Sequence, residues 1–229
     1  DDGDPWGVAI LADNKSKNGA VRFKTYRVTD GKGPNGEDPG FSTVDDAKGR
    51  CVHCGQGIDA EEIKRQARGE SENGRWKDRL YAVAAVRHQP KLDKNGNVQR
   101  YTSGEKAGAI KTEKVHFFRP PNERDLAAMD EAERMLHENW SRWEDAGLIP
   151  TEAIPDGHKT KEPLRVGMSR WCDMFTPRQL LGHLFLIEEL NRLKPEILKE
   201  LGYEKGKAVA TYLQFAIDKG LDYNSRQTR

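Results

Sequence analysis

The sequence predicts an α+β fold in which a β-rich amino-terminal half is followed by a helical carboxy-terminal half. Between residues 6 and 118, short apolar runs alternate with polar side chains at the two-residue period of strands. From residue 122 onward, apolar side chains recur every three or four residues, which is the spacing of helices. We therefore divide the chain into a β-rich region at residues 1–121 and a helical region at residues 122–229.

The β-rich region contains four predicted strands. They are WGVAILAD at 6–13, AVRFKTYRV at 20–28, RLYAVAAVRH at 79–88 and KVHFF at 114–118. The polar segment NKSKNG at 14–19 has the composition of a hairpin loop between the first two strands. Polar or glycine-rich stretches at 30–50 and 89–110 predict exposed loops, and one helix is expected at about 59–68, opened by Asp59.

The segment GKGPNG at 31–36 matches the G-x-G-x-x-G pattern of dinucleotide-binding loops. Pro34 and Asn35 lie inside it, and no helical pattern follows, so the helix start that would hold a pyrophosphate is missing. We interpret the segment as an ordinary loop.

The helical region begins with a predicted helix at 122–146. Asn122 can cap its amino terminus, and Gly147 ends it. Its apolar stripe consists of Leu126, Met129, Leu136, Trp140 and Trp143. A connector with several prolines follows at 149–163.

The segment TPRQ at 176–179 marks the start of a second long helix. Thr176 can accept a hydrogen bond from the amide of Gln179, whose side chain can reach back, and Pro177 occupies the first helical position. The predicted apolar face consists of Leu180, Leu181, Leu184, Ile187 and Leu190.

The last predicted helix follows a break in this second one. Pro195 is expected to kink the second helix or to start another turn, and Gly202 to end it. The last helix is expected at about 204–219, where the apolar spacing predicts burial of Val209, Tyr212, Leu213 and Ala216.

Composition excludes some classes of function. Lysine and arginine number 38 against 37 aspartates and glutamates, so the net charge of +1 gives no overall attraction to nucleic acid, and any DNA contact would be local. No run of about 18 apolar residues is present, so no membrane partner is expected. Three cysteines argue against a disulfide framework and for a reducing compartment, so we expect a cytoplasmic protein.

Cys51 and Cys54 form a C-x-x-C-G turn, which is half of a zinc site and makes the β-rich half zinc-ribbon-like. A structural zinc ion takes four ligands, whereas this chain offers only one further cysteine, Cys172, more than a hundred residues away. His53 lies between the two cysteines and is a poor third ligand. Zinc is therefore expected only as a half-site within this chain.

The segment SRWCDMF at 169–175 precedes the TPRQ helix. A thiol near a helix amino terminus can be activated, but no base accompanies Cys172, so we interpret it as a small buried residue. Trp171, Met174 and Phe175 are expected in the core. Two arginines flank the helix start and are candidates for phosphate contacts, although solvated surface is the commoner role of such residues: Arg170 and Arg178.

Four segments together resemble the zinc-ribbon-containing adenine-specific DNA methylases. They are CVHCG at 51–55, GRWKDRLYAVAAV at 74–86, RWEDAGLIPTEAIPDGHKTKEPLRVGMSRWCDMFTPRQLL at 142–181 and KAVATYLQFAIDKGLDYNSRQTR at 207–229. In that family a cofactor motif and two CxxC pairs precede this helical stretch, and a DPPY motif follows it. The resemblance implies that the partner cysteines lie upstream of Asp1.

The chain lacks the two motifs that carry out methyl transfer in this family. It contains no F-x-G-x-G motif for S-adenosylmethionine and no Asp/Asn-Pro-Pro-Tyr/Phe motif to hold a flipped adenine. RPPNE at 119–123 has adjacent prolines but no aromatic residue after them. We therefore assign no catalytic and no cofactor-binding residue to this chain, and S-adenosylmethionine belongs to the parent protein.

The leading hypothesis is an internal, non-catalytic region of a DNA (adenine-N6) methyltransferase that supports the fold and helps to bind or select DNA. Its partners would be DNA and the remainder of the methylase polypeptide. Candidate phosphate contacts are Arg170, Arg178 and Lys207. Two alternatives remain: a self-standing zinc-binding or protein-interaction module, with zinc shared across a dimer, and a redox dithiol at CVHC, which no thioredoxin-like pattern supports.

Overall fold

A computed structural model describes residues 6–12, 21–45 and 48–226. The predicted hairpin loop at 14–19 lies outside these residues. Contacts divide the chain into two compact units, residues 1–58 with 79–122 and residues 59–78 with 123–229. The first unit is β-rich and the second is helical, and the helical unit also contains the segment 59–78. The boundary that we placed between residues 121 and 122 stays a prediction.

The described residues of the β-rich unit form two antiparallel pairs and one small ribbon. The pairs are β1 (Trp6–Ala12) with β2 (Val21–Arg27) and β6 (Val83–Pro90) with β7 (Thr112–Arg119), and the ribbon is β3 (Val44–Asp45), β4 (Lys48–Arg50) and β5 (Gly57–Ile58). All four predicted strands are confirmed, although the third begins at Val83 rather than Arg79. Part of the predicted loop at 30–50 forms β3 and β4, while GKGPNG is a turn, as expected.

Tyr26 is the main buried side chain of the β-rich unit. It is 4% exposed, and a Cβ on Gly7 or Gly33 would collide with its ring. These glycines therefore let the backbone approach the ring closely. The two strand pairs meet through the Thr25 hydroxyl, which donates to the carbonyl of Phe118 at 2.9 Å.

Five α-helices lie in the described part of the helical unit. They are α1 (Ala60–Arg68), α2 (Glu123–Asp145), α3 (Lys161–Arg165), α4 (Pro177–Leu201) and α5 (Tyr203–Tyr223). Asp59 accepts from the amides of Glu61 and Glu62, so the predicted cap of α1 is confirmed. The capping box of α4 is also confirmed, because Gln179 Oε1 accepts from the Thr176 amide at 2.9 Å. Helix α4 continues through Pro195 and ends at Gly202.

The core of the helical unit forms between α2, α4 and the segment that precedes α4. Its buried residues include Ala132, Leu136, Trp143, Ile149, Cys172, Leu180, Leu181 and Leu184. The predicted burial of Cys172 is confirmed. Leu126 of the predicted α2 stripe is 47% exposed, and Trp171, which we expected in the core, is 38% exposed. Phe175 packs against the core.

The predicted burial of the α5 stripe is wrong. Val209, Tyr212 and Leu213 are 38%, 74% and 42% exposed, and Ala216 is also exposed. Helix α5 instead packs on α4 through Gly206, which is buried against the α4 backbone. A Cβ at Gly206 would lie 2.8 Å from Leu198 Cα. The small residue allows this close approach, so the helix turns its other apolar stripe outward.

None of the helices in the described parts of the chain is long and apolar enough to cross a membrane.

Candidate functional site

Cys51 and Cys54 lie in the turn that joins β4 to β5. Gly49 pairs with Ile58 and Arg50 with Gly57 across this small ribbon. The turn is closed by the Cys51 amide, which donates to Gln56 O at 2.9 Å, and by the Gly55 amide, which donates to Cys51 O at 2.9 Å. Gly55 has a φ of 73°, a conformation that favours glycine. Both cysteines are free thiols, with Cys54 exposed and Cys51 half-buried.

The turn also favours the thiolate of Cys51. The backbone amide of Cys54, and then that of His53, hold the pKa of the Cys51 thiol below its usual value. Backbone N–H groups that point at a sulfur stabilise its anionic form, which is the form that binds metal. The turn is therefore suited to hold one side of a zinc ion.

The part of the chain that the structure describes does not contain a complete zinc site. Among those residues there is no group of three or more His, Cys, Asp or Glu side chains that could hold a metal ion. Two thiols supply half of the four ligands of a structural zinc ion. Cys51 and Cys54 thus fit zinc as a half-site that needs two donors from elsewhere.

The three basic candidates for DNA contact lie at different places in the helical unit. Arg170 directly precedes the short 3-10 turn Trp171–Met174, and Arg178 is the second residue of α4. Lys207 lies on α5, with its ammonium 5.8 Å from the ring centroid of Tyr203, and borders the same groove as Leu198. Twenty helical residues separate Arg178 from Leu198, or about 30 Å. Lys207 is therefore not close to Arg178, and the DNA contacts stay a prediction.

A cavity of about 260 Å³ lies within the helical unit. We call it the Arg75 cavity. Its walls come from four segments: residues 75–78 after α1, Leu136 and Trp140 on α2, residues around the start of α4, and Arg226 after α5. Cys172 and Leu180 are buried and belong to the core beneath it. Burial raises the pKa of the Cys172 thiol, so this sulfur is a neutral part of the wall.

The charged residues of the Arg75 cavity differ in their partners. Arg226 pairs with Asp78 at 2.5 Å. Asp173 accepts from the backbone amides of Ser169 and Arg170, both at 2.9 Å. By contrast, Arg75 makes no hydrogen bond or ion pair with any other residue in the described ranges. Arg75 is therefore an arginine of this lining without a hydrogen-bonded or ion-paired partner among the described residues.

Only a weak signal for this cavity is present in the amino-acid sequence. GRWKD at 74–78 places Arg75 and Trp76 in a polar loop, where an exposed tryptophan is unusual. Nothing in the local spacing indicates that this loop meets α2 and the start of α4. The contact depends on the tertiary fold, since the Trp76 amide donates to Gln66 O of α1 at 3.2 Å and Gly167 lies against Ala67.

Comparison with known proteins adds no assignment. Protein-family models, curated proteins and solved structures were each searched, and none matches this chain. The resemblance to adenine-specific DNA methylases therefore stays a prediction that depends on the quoted residues alone.

Proposed function

We propose that this chain is an internal, non-catalytic region of a DNA (adenine-N6) methyltransferase, which supports the fold of the complete enzyme and contributes to DNA binding or target recognition. The active centre, with its S-adenosylmethionine and adenine sites, lies in other parts of the polypeptide. The proposal starts from the sequence segments that resemble this family.

The observation that best supports the proposal is the outward apolar stripe of α5. Val209, Tyr212, Leu213 and Ala216 follow the spacing of a buried helix face, yet all four are exposed. Exposed stripes of this kind mark surfaces that pack against another protein element. The occupant that we propose is the remainder of the methylase polypeptide, which would bury the stripe in the complete enzyme.

The cysteine turn supports the same proposal. Cys51 and Cys54 form a half-site whose backbone amides already favour a thiolate. A second CxxC pair from another part of the polypeptide would complete a four-thiolate zinc ribbon. In this arrangement the metal holds the β-rich unit to a neighbouring segment and takes no part in methyl transfer.

The central experiment compares two proteins. The isolated chain is incubated with adenine-containing duplex DNA and S-adenosylmethionine, and methylation is measured by mass spectrometry of nucleosides. We expect no N6-methyladenine from the isolated chain and clear methylation from the full polypeptide that contains it. Methylation by the isolated chain would refute the assignment of a non-catalytic region.

A matched pair of variants tests the α5 stripe in the full polypeptide. Tyr212→Asp places a charge in the stripe, whereas Thr211→Asp places the same charge one residue away on the polar side of α5. We expect only Tyr212→Asp to lower the methylation rate and the melting temperature of the full polypeptide. In the isolated chain both variants should melt as the parent does. Equal effects of the two variants in the full polypeptide would contradict the proposed contact.

The second candidate function is a self-standing zinc-binding module that interacts with proteins. The observation that favours it is the position of the cysteine half-site in a turn where Cys54 is exposed, because two copies of the turn could share one zinc ion. Zinc content and mass distinguish the candidates. A dimer with about half an equivalent of zinc per chain supports the module, and a metal-free monomer supports the methylase region.

A further inference from the structure

The Arg75 cavity has the dimensions of a site for one small ligand. Its volume is about 260 Å³, whereas ligand pockets commonly begin at about 300 Å³. The cavity therefore suits a single small group rather than a long chain. Its lining comes wholly from the helical unit, so its shape depends on the packing of one unit alone.

Two arginines and two aspartates line the cavity, so the lining has no net charge, and the feature that attracts an anion is the guanidinium of Arg75. The carboxylates that line it already have partners, Asp78 on Arg226 and Asp173 on two backbone amides. Arg75 has no such partner among the residues that the structure describes. A guanidinium binds phosphate through two parallel hydrogen bonds, which makes an unpaired arginine at a cavity a preferred phosphate contact.

The remaining wall is aromatic. Trp76, Trp140 and Phe175 all line the cavity, and Trp76 is 43% exposed. The indole N–H of Trp140 donates to Glu144 at 3.0 Å, which holds that ring on α2. Aromatic side chains stack on nucleic-acid bases of any sequence, because every base has a π-face. These rings offer stacking partners to a flat heterocycle, and Arg75 lies in the same lining.

We propose that the Arg75 cavity binds one nucleotide, with its base against Trp76 and Trp140 and its phosphate on Arg75. The same chemistry is offered by a free nucleoside monophosphate and by one nucleotide of a single strand. The inference needs only the helical unit, so it stands whether or not the chain belongs to a methyltransferase.

The test measures binding to the whole chain by isothermal titration calorimetry at low salt. The ligands are AMP, adenosine, inorganic phosphate and a short single-stranded oligodeoxyadenylate. We expect AMP to bind at least tenfold more tightly than adenosine or phosphate alone, since each lacks one of the two recognised groups. Equal affinity for AMP and phosphate would overturn the proposed base contact, and no binding of either AMP or the oligonucleotide would overturn the site.

Two variants and one control locate the binding. Arg75→Gln and Trp76→Ala change exposed side chains, and each is expected to weaken binding by about tenfold or more. Arg124→Gln removes an equal charge from the surface of α2 away from the lining and should leave the affinity unchanged. Circular dichroism melting checks that all three remain folded.

The outcomes also identify the source of the nucleotide. Tighter binding of AMP than of the oligonucleotide indicates a free nucleotide as the ligand. Tighter binding of the oligonucleotide, with both variants weakening it, indicates a nucleotide within a single strand. Binding that persists in Arg75→Gln and Trp76→Ala refutes the placement in this cavity, whichever ligand is used.

Discussion

Gly206 allows α5 to lie against α4, and adding one methyl group there tests the direction in which α5 faces. The new Cβ of Gly206→Ala would lie 2.8 Å from Leu198 Cα and 3.0 Å from Ile197 O. Both are backbone atoms of α4 and cannot rotate away. Alanine is favoured over glycine in a helix by about 1 kcal/mol, whereas overpacking costs about 1–3 kcal/mol. We therefore expect the free energy of unfolding to fall by about 1 kcal/mol.

The matched control is Gly220→Ala in the same helix. There the new Cβ would meet only His183 Cε1 at 3.8 Å, which is an ordinary contact, so the helix preference of alanine is retained. We expect Gly220→Ala to raise the free energy of unfolding by up to about 1 kcal/mol, which leaves a difference of about 2 kcal/mol between the variants. Urea unfolding followed by circular dichroism at 222 nm measures both. If Gly206→Ala proves as stable as Gly220→Ala, α5 does not pack on α4 as described.

Three further predictions concern the helical unit. Leu184→Ala should lower the free energy of unfolding by about 2–5 kcal/mol, because Leu184 is 1% exposed. Phe215→Ala, at a site that is 58% exposed, should change the free energy of unfolding by less than about 0.5 kcal/mol. Urea unfolding measures both variants. Hydrogen bonds from a nearby hydroxyl, and then from side-chain amides, lower the pKa of Glu62 to about 2 from 4.5. The ionised carboxylate therefore stabilises the fold above pH 4.5, and the stability difference between the parent and Glu62→Gln should shrink as the pH falls from 4.5 towards 2 in acid unfolding curves. Iodoacetamide at pH 7.5 should modify the exposed Cys54 in the native chain, and the buried Cys172 only after unfolding. Peptide mass spectrometry measures the labelling of each cysteine. Rapid labelling of Cys172 in the native chain would contradict its place in the core.

The sequence predicted local structure well where a few adjacent residues supply the physical cause. The start of α4 depends on Thr176 and Gln179, three residues apart, and both hydrogen bonds of that capping box are present. Asp59 caps α1 for the same local reason, and Gly202 ends α4 because glycine tolerates its φ of 75°. These interactions are complete within one turn of helix, so no knowledge of the tertiary fold was needed to find them.

The Arg75 cavity could not be predicted in the same way. Its lining joins residues 75–78, α2, the start of α4 and Arg226, so residues from Arg75 to Arg226 meet in one cavity. Each segment alone has an ordinary role, since Trp140 belongs to an apolar stripe and Arg75 lies in a polar loop. The cavity exists only because these four segments pack together. The cysteine turn could be predicted from the sequence because Cys51 and Cys54 lie three residues apart. The two further donors that a structural zinc ion would need are not among the described residues.

The packing of helix α5 accounts for the wrong prediction of a buried stripe, and the exposed stripe supports the proposed function. Residues 206, 210, 214, 217 and 221 recur every three or four positions and are buried or half-buried, while Val209, Tyr212, Leu213 and Ala216 form a second apolar stripe on another side. The hydrophobic periodicity of the sequence predicted burial of the stripe that has the larger side chains. Helix α4 instead packs on the stripe that contains Gly206, because this glycine allows the two backbones to approach closely. A helix with two apolar stripes needs two packing partners, and α4 accounts for one of them. We propose that the remainder of the polypeptide is the second partner, and the Tyr212→Asp comparison in the full polypeptide tests this directly.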